Sequence, residues 1–172
     1  MTRNRSTAIG FTAILMWALL ALLTVRTVPV PPFLLNALCF AAGGALGLVW
    51  TLASGRMSAL RGVPRGAMVF GTLGLFGYHF LYFSALRMAP AAEAGLVAYL
   101  WPLFIVLLSG LLPGERIGAG HVLGALLAFG GVALLLAGGG GFQADYLAGY
   151  GLAFLCALVW AIYSVGSRYL GA

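Results

Sequence analysis

The sequence predicts an all-α, polytopic transmembrane helix bundle of six helices, and three observations lead there. Only 7% of the 172 residues are charged and 63% are hydrophobic, whereas a soluble domain carries about 25% charged residues. A chain so poor in charge cannot build a water-facing surface, so most of its surface faces lipid. Apolar stretches of about 20 residues recur six times, the length that crosses a hydrocarbon core of about 30 Å. The segments between them are short and rich in Pro, Gly and Arg, which forces neighbouring helices to run antiparallel. With no water in the bilayer core, backbone groups must bond within their own segment, and open sheets are excluded.

The first span covers about Thr7 to Val25 and ends before Arg26 and the Pro29, Pro31, Pro32 cluster. Arg3 and Arg5 ahead of an apolar run give it the look of a signal peptide. It is longer than a signal core, has no small-x-small cleavage site and precedes five more spans, so it is read as retained. The second runs from about Phe33 to Ala53 and stops at Ser54-Gly55-Arg56. The third starts near Ala67, after Pro64-Arg65-Gly66, and reaches about Leu86. Pro90 suits the first turn of the fourth, where its missing N–H is harmless; that helix runs to Leu112, before the Pro113-Gly114 turn. The fifth covers about Ala119 to Ala137, and four glycines, Gly138 to Gly141, break the chain after it. Asp145 is expected to N-cap a sixth helix that ends near Tyr169.

All nine basic residues are Arg. With the N-terminus in the cytoplasm, that side holds Arg3, Arg5, Arg56, Arg61, Arg65, Arg116 and Arg168, and the far side only Arg26 and Arg87. This positive-inside bias places the N-terminus inside. The net charge of +6 does not point to nucleic acid, because a basic stripe with interleaved aromatics is missing. Cys39 and Cys156 both fall inside apolar blocks and read as small packed hydrophobes.

When Trp17 is set on Trp160, Leu15 meets Leu158, Ala18 meets Ala161, Leu19 meets Ile162 and Thr24 meets Ser167. Five spans separate the two starts, so the sixth helix crosses opposite to the first, as in the inverted-topology repeats common among secondary transporters. Residues 1–138 therefore read as a first five-helix repeat and 139–172 as the start of a second, its remaining helices missing. The chain is expected to be part of a longer protein of about ten helices.

Catalytic patterns are absent: there is no GxSxG elbow, no HExxH, no glycine-rich phosphate loop followed by Lys and no pair of facing carboxylates. With two His and three acids in all, no enzyme, cofactor or metal site is expected. The positive signal is the depth of the aromatics. Trp and Tyr normally gather at the membrane interfaces, as Trp50 does. Trp17, Trp101 and Trp160 instead lie near the middles of the first, fourth and sixth helices, and Tyr78, His79 and Tyr82 near the middle of the third. Indole and phenol groups at that depth need hydrogen-bond partners. They either satisfy one another in a packed core or line a cavity, and four helices converging at one depth favour the cavity. At about 100° per residue, Gly71, Gly74, Leu75, Tyr78, Tyr82 and Ala85 share one face, with His79 on its shoulder. Pro102, directly after Trp101, removes the N–H that would bond the Ala98 carbonyl, leaving either a simple kink or an acceptor at mid-depth. His79 is the ionisable residue nearest mid-membrane and so a candidate by default. Glu93 is expected to serve as a helix cap or to pair with Arg87, and Glu115, Arg116 and His121 belong to a cytoplasmic turn.

The run Ala85-Leu86-Arg87-Met88-Ala89-Pro90-Ala91-Ala92, the turn Gly114-Glu115-Arg116 and the segment Gly124 to Val132 resemble the EamA-type drug/metabolite transporters. Met1-Thr2-Arg3, Tyr99-Leu100-Trp101-Pro102 and Trp160-Ala161-Ile162-Tyr163 resemble the bacterial members of that family that export aromatic amino acids. The resemblance implies a ten-helix inner-membrane exporter made of two inverted five-helix repeats around a hydrophobic cavity. Its substrates would be aromatic and other hydrophobic amino acids, moved from cytoplasm to periplasm. Carried over onto matching positions, it singles out Trp101, Pro102 and Trp160, with Tyr99 and Tyr163 in the same stretches. Trp17, Tyr78, His79 and Tyr82 join the candidate set on depth alone. The expected partners are a small-molecule substrate, the lipid bilayer and the missing C-terminal repeat. The competing readings are export of other amphipathic metabolites or drugs, and a non-transporting membrane scaffold.

The topology is open to cysteine labelling. In a background without Cys39 and Cys156, Ser6→Cys and Arg168→Cys should both react from the cytoplasmic side. Labelling of either from the periplasm overturns the inverted orientation.

Overall fold

Each apolar stretch folds as helix, because a helix satisfies its backbone polar groups internally, as lipid demands. The structure is a computed structural model that describes residues 3–115, 117–138 and 143–170. Among the described residues there are nine α-helices, one 3-10 turn and no strand. The first span is α1 (Arg3–Ala18) followed by α2 (Leu20–Arg26). The Leu19 N–H donates to the Leu15 carbonyl at 3.3 Å and Leu23 N–H to the Leu19 carbonyl at 3.0 Å, so the ladder continues through the joint. Proline opens α3 (Pro32–Ala53). A short α4 (Met57–Arg61), which the sequence reading did not anticipate, sits in the next connection. The third span, α5 (Arg65–Met88), follows Pro64.

The fourth span divides into α6 (Ala91–Ala98) and α7 (Trp101–Ser109), with Tyr99 and Leu100 between them. The interruption expected from Pro102 is present, just ahead of the proline. Gly114, at φ +87°, makes the turn that leads to α8 (Ala119–Gly138). Asp145 does not cap the sixth span. It lies within the 3-10 turn Ala144–Tyr146, and α9 (Leu147–Leu170) begins after it. Of the expected glycine break, Gly138 closes α8, while Gly139 to Gly141 lie outside the described residues, as do Met1, Thr2 and Arg116. Five segments are long and apolar enough to cross a membrane: Arg5–Arg26, Pro32–Ala53, Arg65–Met88, Ala91–Ser109 and Ala144–Arg168. A shorter apolar stretch, Ala119–Leu135, lies in α8. The chain is a multi-pass membrane protein.

Contacts fix the directions of the spans. Gly149 at the start of α9 lies against Met88 and Ala89 at the end of α5, and Gly166 near the end of α9 faces Phe70 near the start of α5. The two helices are therefore antiparallel. Arg87, also at the end of α5, donates to the Val28 carbonyl (2.5 Å), the Thr27 carbonyl (2.6 Å) and Thr27 Oγ1 (3.1 Å). The first span thus ends where α5 ends, and it runs opposite to α9. At the other membrane face Arg168 pairs with Glu115 at 2.8 Å, an exposed ion pair worth about 0–1 kcal/mol.

The core lies where α9 meets α5, α6 and α7. Ala153, Cys156, Ala157 and Ala161 of α9 are fully buried, together with Ala85 of α5 and Ala94 of α6. Small residues allow close approach, which is what holds helices together in lipid, where apolar burial supplies no drive. The first two spans and α8 look different. Among the described side chains of the first two spans only Thr24 and Asn36 are buried, and none of α8 is. Thr24 bonds its own helix at the Leu20 carbonyl (2.8 Å), and Asn36 Nδ2 donates across to the Phe76 carbonyl of α5 (3.0 Å).

The two glycines at the start of α9 make opposite predictions. A Cβ added to Gly149 would stand 2.7 Å from Met88 backbone carbon and the Ala89 methyl, whereas one on Gly151 meets nothing within 4 Å. Gly149→Ala should destabilise the fold by about 1–3 kcal/mol through overpacking. Gly151→Ala should be neutral to within about 0.5 kcal/mol. Reversible unfolding in detergent micelles measures both.

Candidate functional site

Three of the spans deliver rings to Trp160 on α9. The Tyr78 ring of α5 lies 4.7 Å away and tilted, Trp17 of α1 edge-on at 5.5 Å, and Trp101 of α7 edge-on at 6.4 Å. Tyr163, one turn along α9, is 5.7 Å from the same indole. Tyr78 and Tyr82 are stacked nearly parallel at 6.0 Å, as their spacing on one face of α5 requires. Edge-on and offset pairs of this kind contribute about 0.5–1.5 kcal/mol each beyond area burial. The Tyr78 hydroxyl lies against the Cys156 thiol of α9, so this buried cysteine packs as part of the cluster.

A cavity of about 60 Å³ opens beside the cluster, lined by Trp17, Leu20, Tyr78, Tyr82, Ala98, Tyr99 and Trp101. The break between α6 and α7 makes one of its walls: Ala98 ends α6, Trp101 begins α7, and Tyr99 between them is 66% exposed. Pro102 has no N–H to offer the Ala98 carbonyl, and Ala98 is among the residues that line the cavity. The volume has room for only a few waters; a larger guest requires a ring to swing aside.

Five of the nine candidate residues line this cavity: Trp17, Tyr78, Tyr82, Tyr99 and Trp101. Trp160 backs three of them. The other three point elsewhere. His79 turns towards α3, with Phe40 edge-on at 5.4 Å, and its Nδ1 sits 2.8 Å from the Leu75 carbonyl. Pro102 faces α8, on a separate groove of about 350 Å³ shared with His121. Tyr163 stacks on Phe70 at 5.7 Å and covers Gly74, which accounts for a glycine on that face of α5.

Sequence reasoning missed Leu20 as a lining residue, named Ala98 only for its carbonyl, and offered Glu93 a partner in Arg87 that it does not take. Arg87 binds the Thr27-Val28 backbone, and Glu93 accepts a hydrogen bond from the hydroxyl of Tyr150, which is buried in the first turn of α9. Both partners lie one turn into helices that start at the same membrane face, a signal available once the spans are drawn. A larger groove, about 540 Å³, runs between α6, α8 and α9. Its walls, among them Phe129, Val132 and Phe154, are apolar apart from Tyr150, whose hydroxyl is engaged with Glu93. It offers little to a polar substrate. Among the described residues, no three His, Cys, Asp or Glu side chains converge as metal ligands would.

The model of the EamA-like transporter family matches residues 5–137. A protein of Ancylobacter novellus named aromatic amino acid exporter YddG is 57% identical over 172 residues, covering 98% of this chain and 60% of the relative. A protein of the same name from Escherichia coli K12 is 31% identical over 183 residues, covering 98% of this chain and 61% of the relative. A solved crystal structure matches with a TM-score of 0.72 at 55% identity, over 98% of this chain and 59% of the other. The chain thus spans about 60% of the length of the curated relatives it matches.

The cluster predicts unequal roles for its rings. Trp160→Ala removes contacts to four rings and should cost about 3 kcal/mol of stability. Tyr99→Ala, at an exposed ring, should cost under about 0.5 kcal/mol. Unfolding of the two variants side by side tests this.

Proposed function

As the chain belongs to the EamA-like transporter family, we propose that it forms part of an inner-membrane exporter moving aromatic and other hydrophobic amino acids from cytoplasm to periplasm. The observation that carries this reading is the Trp160-centred cluster, in which rings from α1, α5 and α7 meet beside a mid-membrane cavity. The names of the relatives at 57% and 31% identity support it.

In this reading Trp101, Tyr78 and Tyr82 present ring faces to the substrate side chain, and Trp17 and Tyr99 close the cavity from the α1 side. The substrate ammonium is taken by the Ala98 carbonyl, which Pro102 cannot bond, and the carboxylate by tyrosine hydroxyls. Trp160 acts from behind, holding Trp17, Tyr78 and Trp101 in place. His79 and Tyr163 hold α5 against α3 and α9, and reach the substrate only if the cluster rearranges. Contacts of about 0.5–1.5 kcal/mol each give weak binding, which suits release on the far side. Residues 1–138 form one five-helix repeat and α9 opens a second of inverted orientation. Transport is the rocking of one repeat against the other, with the N-terminus in the cytoplasm.

The test is transport in reconstituted vesicles by the chain together with its second repeat. Trp101→Ala keeps a good helix former at the start of α7 and removes one cavity wall. It should weaken transport of tryptophan and phenylalanine roughly ten-fold, a loss of about 1.4 kcal/mol, with a smaller effect on aliphatic amino acids. Equal loss for every substrate assigns Trp101 to the fold. No loss for any moves the site elsewhere, and failure of every amino acid to move rejects the reading.

A further inference from the structure

The connection between α3 and α5 is fixed at both ends. Gly55, at φ +65°, turns the chain out of α3. Its N–H donates to the Leu52 carbonyl and the Arg56 N–H reaches back to the Thr51 carbonyl, both at 3.0 Å. These bonds satisfy carbonyls that a helix end leaves open. A Cβ on Gly55 would meet nothing within 4 Å, so the glycine serves the turn alone. Pro64 then opens α5 at Arg65. Between these stops Met57, Leu60 and Val63 are exposed large hydrophobics. Arg56 and Arg65 are exposed as well, and Arg61 falls between them in the sequence. This charge has no counterpart in the chain. The face where α5 begins is the one where α9 ends, since Gly166 lies against Phe70. The chain has three acids. Glu93 bonds Tyr150 at the opposite face, and Asp145 lies just ahead of α9 on that same opposite face. Glu115, on the near face, pairs with Arg168. Among the described residues neither Arg56 nor Arg65 has an ion-pair partner.

We propose that residues 54–65 bind anionic phospholipid, the arginines drawing its phosphate while Met57, Leu60 and Val63 rest among the uppermost acyl carbons. The partner follows from the combination of charge and exposed apolar groups. A span leaves the segment at each end, so it sits at headgroup level. There, apolar side chains and guanidinium groups a few residues apart are satisfied together by a molecule that carries an anion above an acyl chain. A free phosphate would serve the arginines and leave the apolar residues in water. Arginine also presents its donors in a fork that matches phosphate oxygens. Trp50, one turn ahead of the segment and 75% exposed, marks the same boundary, as interfacial tryptophans do. The proposal is independent of what the protein transports and of which face is cytoplasmic.

The test places the full-length protein in vesicles of phosphatidylcholine, alone or mixed with phosphatidylglycerol, and uses Trp50 to report the lipid beside it. Quenching by brominated chains of either lipid, taken as the difference between the protein and its Trp50→Phe variant, gives the preference for phosphatidylglycerol. That preference should be roughly five-fold, the effect of about one arginine at a charged surface. Replacing Arg56, Arg61 and Arg65 together by Gln should abolish it, and replacing them by Lys should keep most of it. Arg56→Gln alone should lower it, which keeps the test open if the triple variant does not fold. Arg26→Gln, which removes a charge from the opposite face, should leave it unchanged. No preference in the parent protein, a preference that survives the Gln substitutions, or an equal loss in Arg26→Gln overturns the proposal. Loss of the preference on adding inorganic phosphate at constant ionic strength would make this a site for free anions, and also overturns it. The apolar half has its own readout. In a Cys39→Ala background, Leu60→Cys should be alkylated by a water-soluble maleimide more slowly in the mixed vesicles than in phosphatidylcholine alone. Equal rates overturn the insertion, and protection that grows with protein density puts a second copy on the segment in place of lipid and overturns it too.

Discussion

The close approach of α9 to α5 is the constraint on which the rest of the molecule depends. Helices in lipid gain nothing from hiding apolar surface, so they adhere only where their atoms touch densely. Ala153, Cys156, Ala157 and Ala161 remove the side-chain bulk that would keep the axes apart, and each is fully buried. Trp160 stands immediately before Ala161, so its indole is carried to within 4.7 Å of Tyr78 by the same approach. A larger residue on that stripe would move the cluster and the cavity together.

Polar groups are kept from disturbing this packing in two ways. The hydroxyls of Thr24, Ser84 and Ser164 turn back to carbonyls four residues earlier in their own helices, at 2.7–2.8 Å, and ask nothing of neighbours. The bonds of charged side chains that cross between elements are placed towards the ends. Arg87 holds the Thr27-Val28 backbone and Tyr150 holds Glu93 at one membrane face, and Arg168 meets Glu115 at the other. Asn36, reaching the Phe76 carbonyl, is the polar link between α3 and the middle of the bundle.

Much of the architecture was legible because lipid imposes a length and a composition on every span. The six boundaries inferred from Pro, Gly and Arg lie within a few residues of the helix ends, and the gap ahead of Pro102 follows from its missing N–H. The depth of Trp17, Tyr78, Trp101 and Trp160 was readable from position along each span, and these rings do converge. Facing was not readable to the same degree. His79 and Tyr78 are neighbours in sequence, and a step of about 100° sends one towards Phe40 and the other towards Trp160. Pro102 was expected at the site because of what it does to Ala98; its own ring looks the other way, to α8. Asp145 and Glu93 were assigned by local rules of helix ends. Their actual surroundings come from α9 starting a residue later than expected and from a partner 57 residues distant in the chain, which no local pattern encodes.

Arg87 grips the loop between α2 and α3 almost entirely through main-chain oxygens, with Thr27 Oγ1 the one side-chain acceptor. A carbonyl is offered by every residue type, so this grip is indifferent to the loop's composition. Substitutions at Val28, and to a large extent at Thr27, leave the guanidinium its acceptors as long as the backbone keeps its course. The prolines at positions 29, 31 and 32 hold that course by fixing their own φ. The loop is thus free to drift in sequence at the membrane surface without loosening the end of α5, and the burden of fidelity falls on the arginine alone.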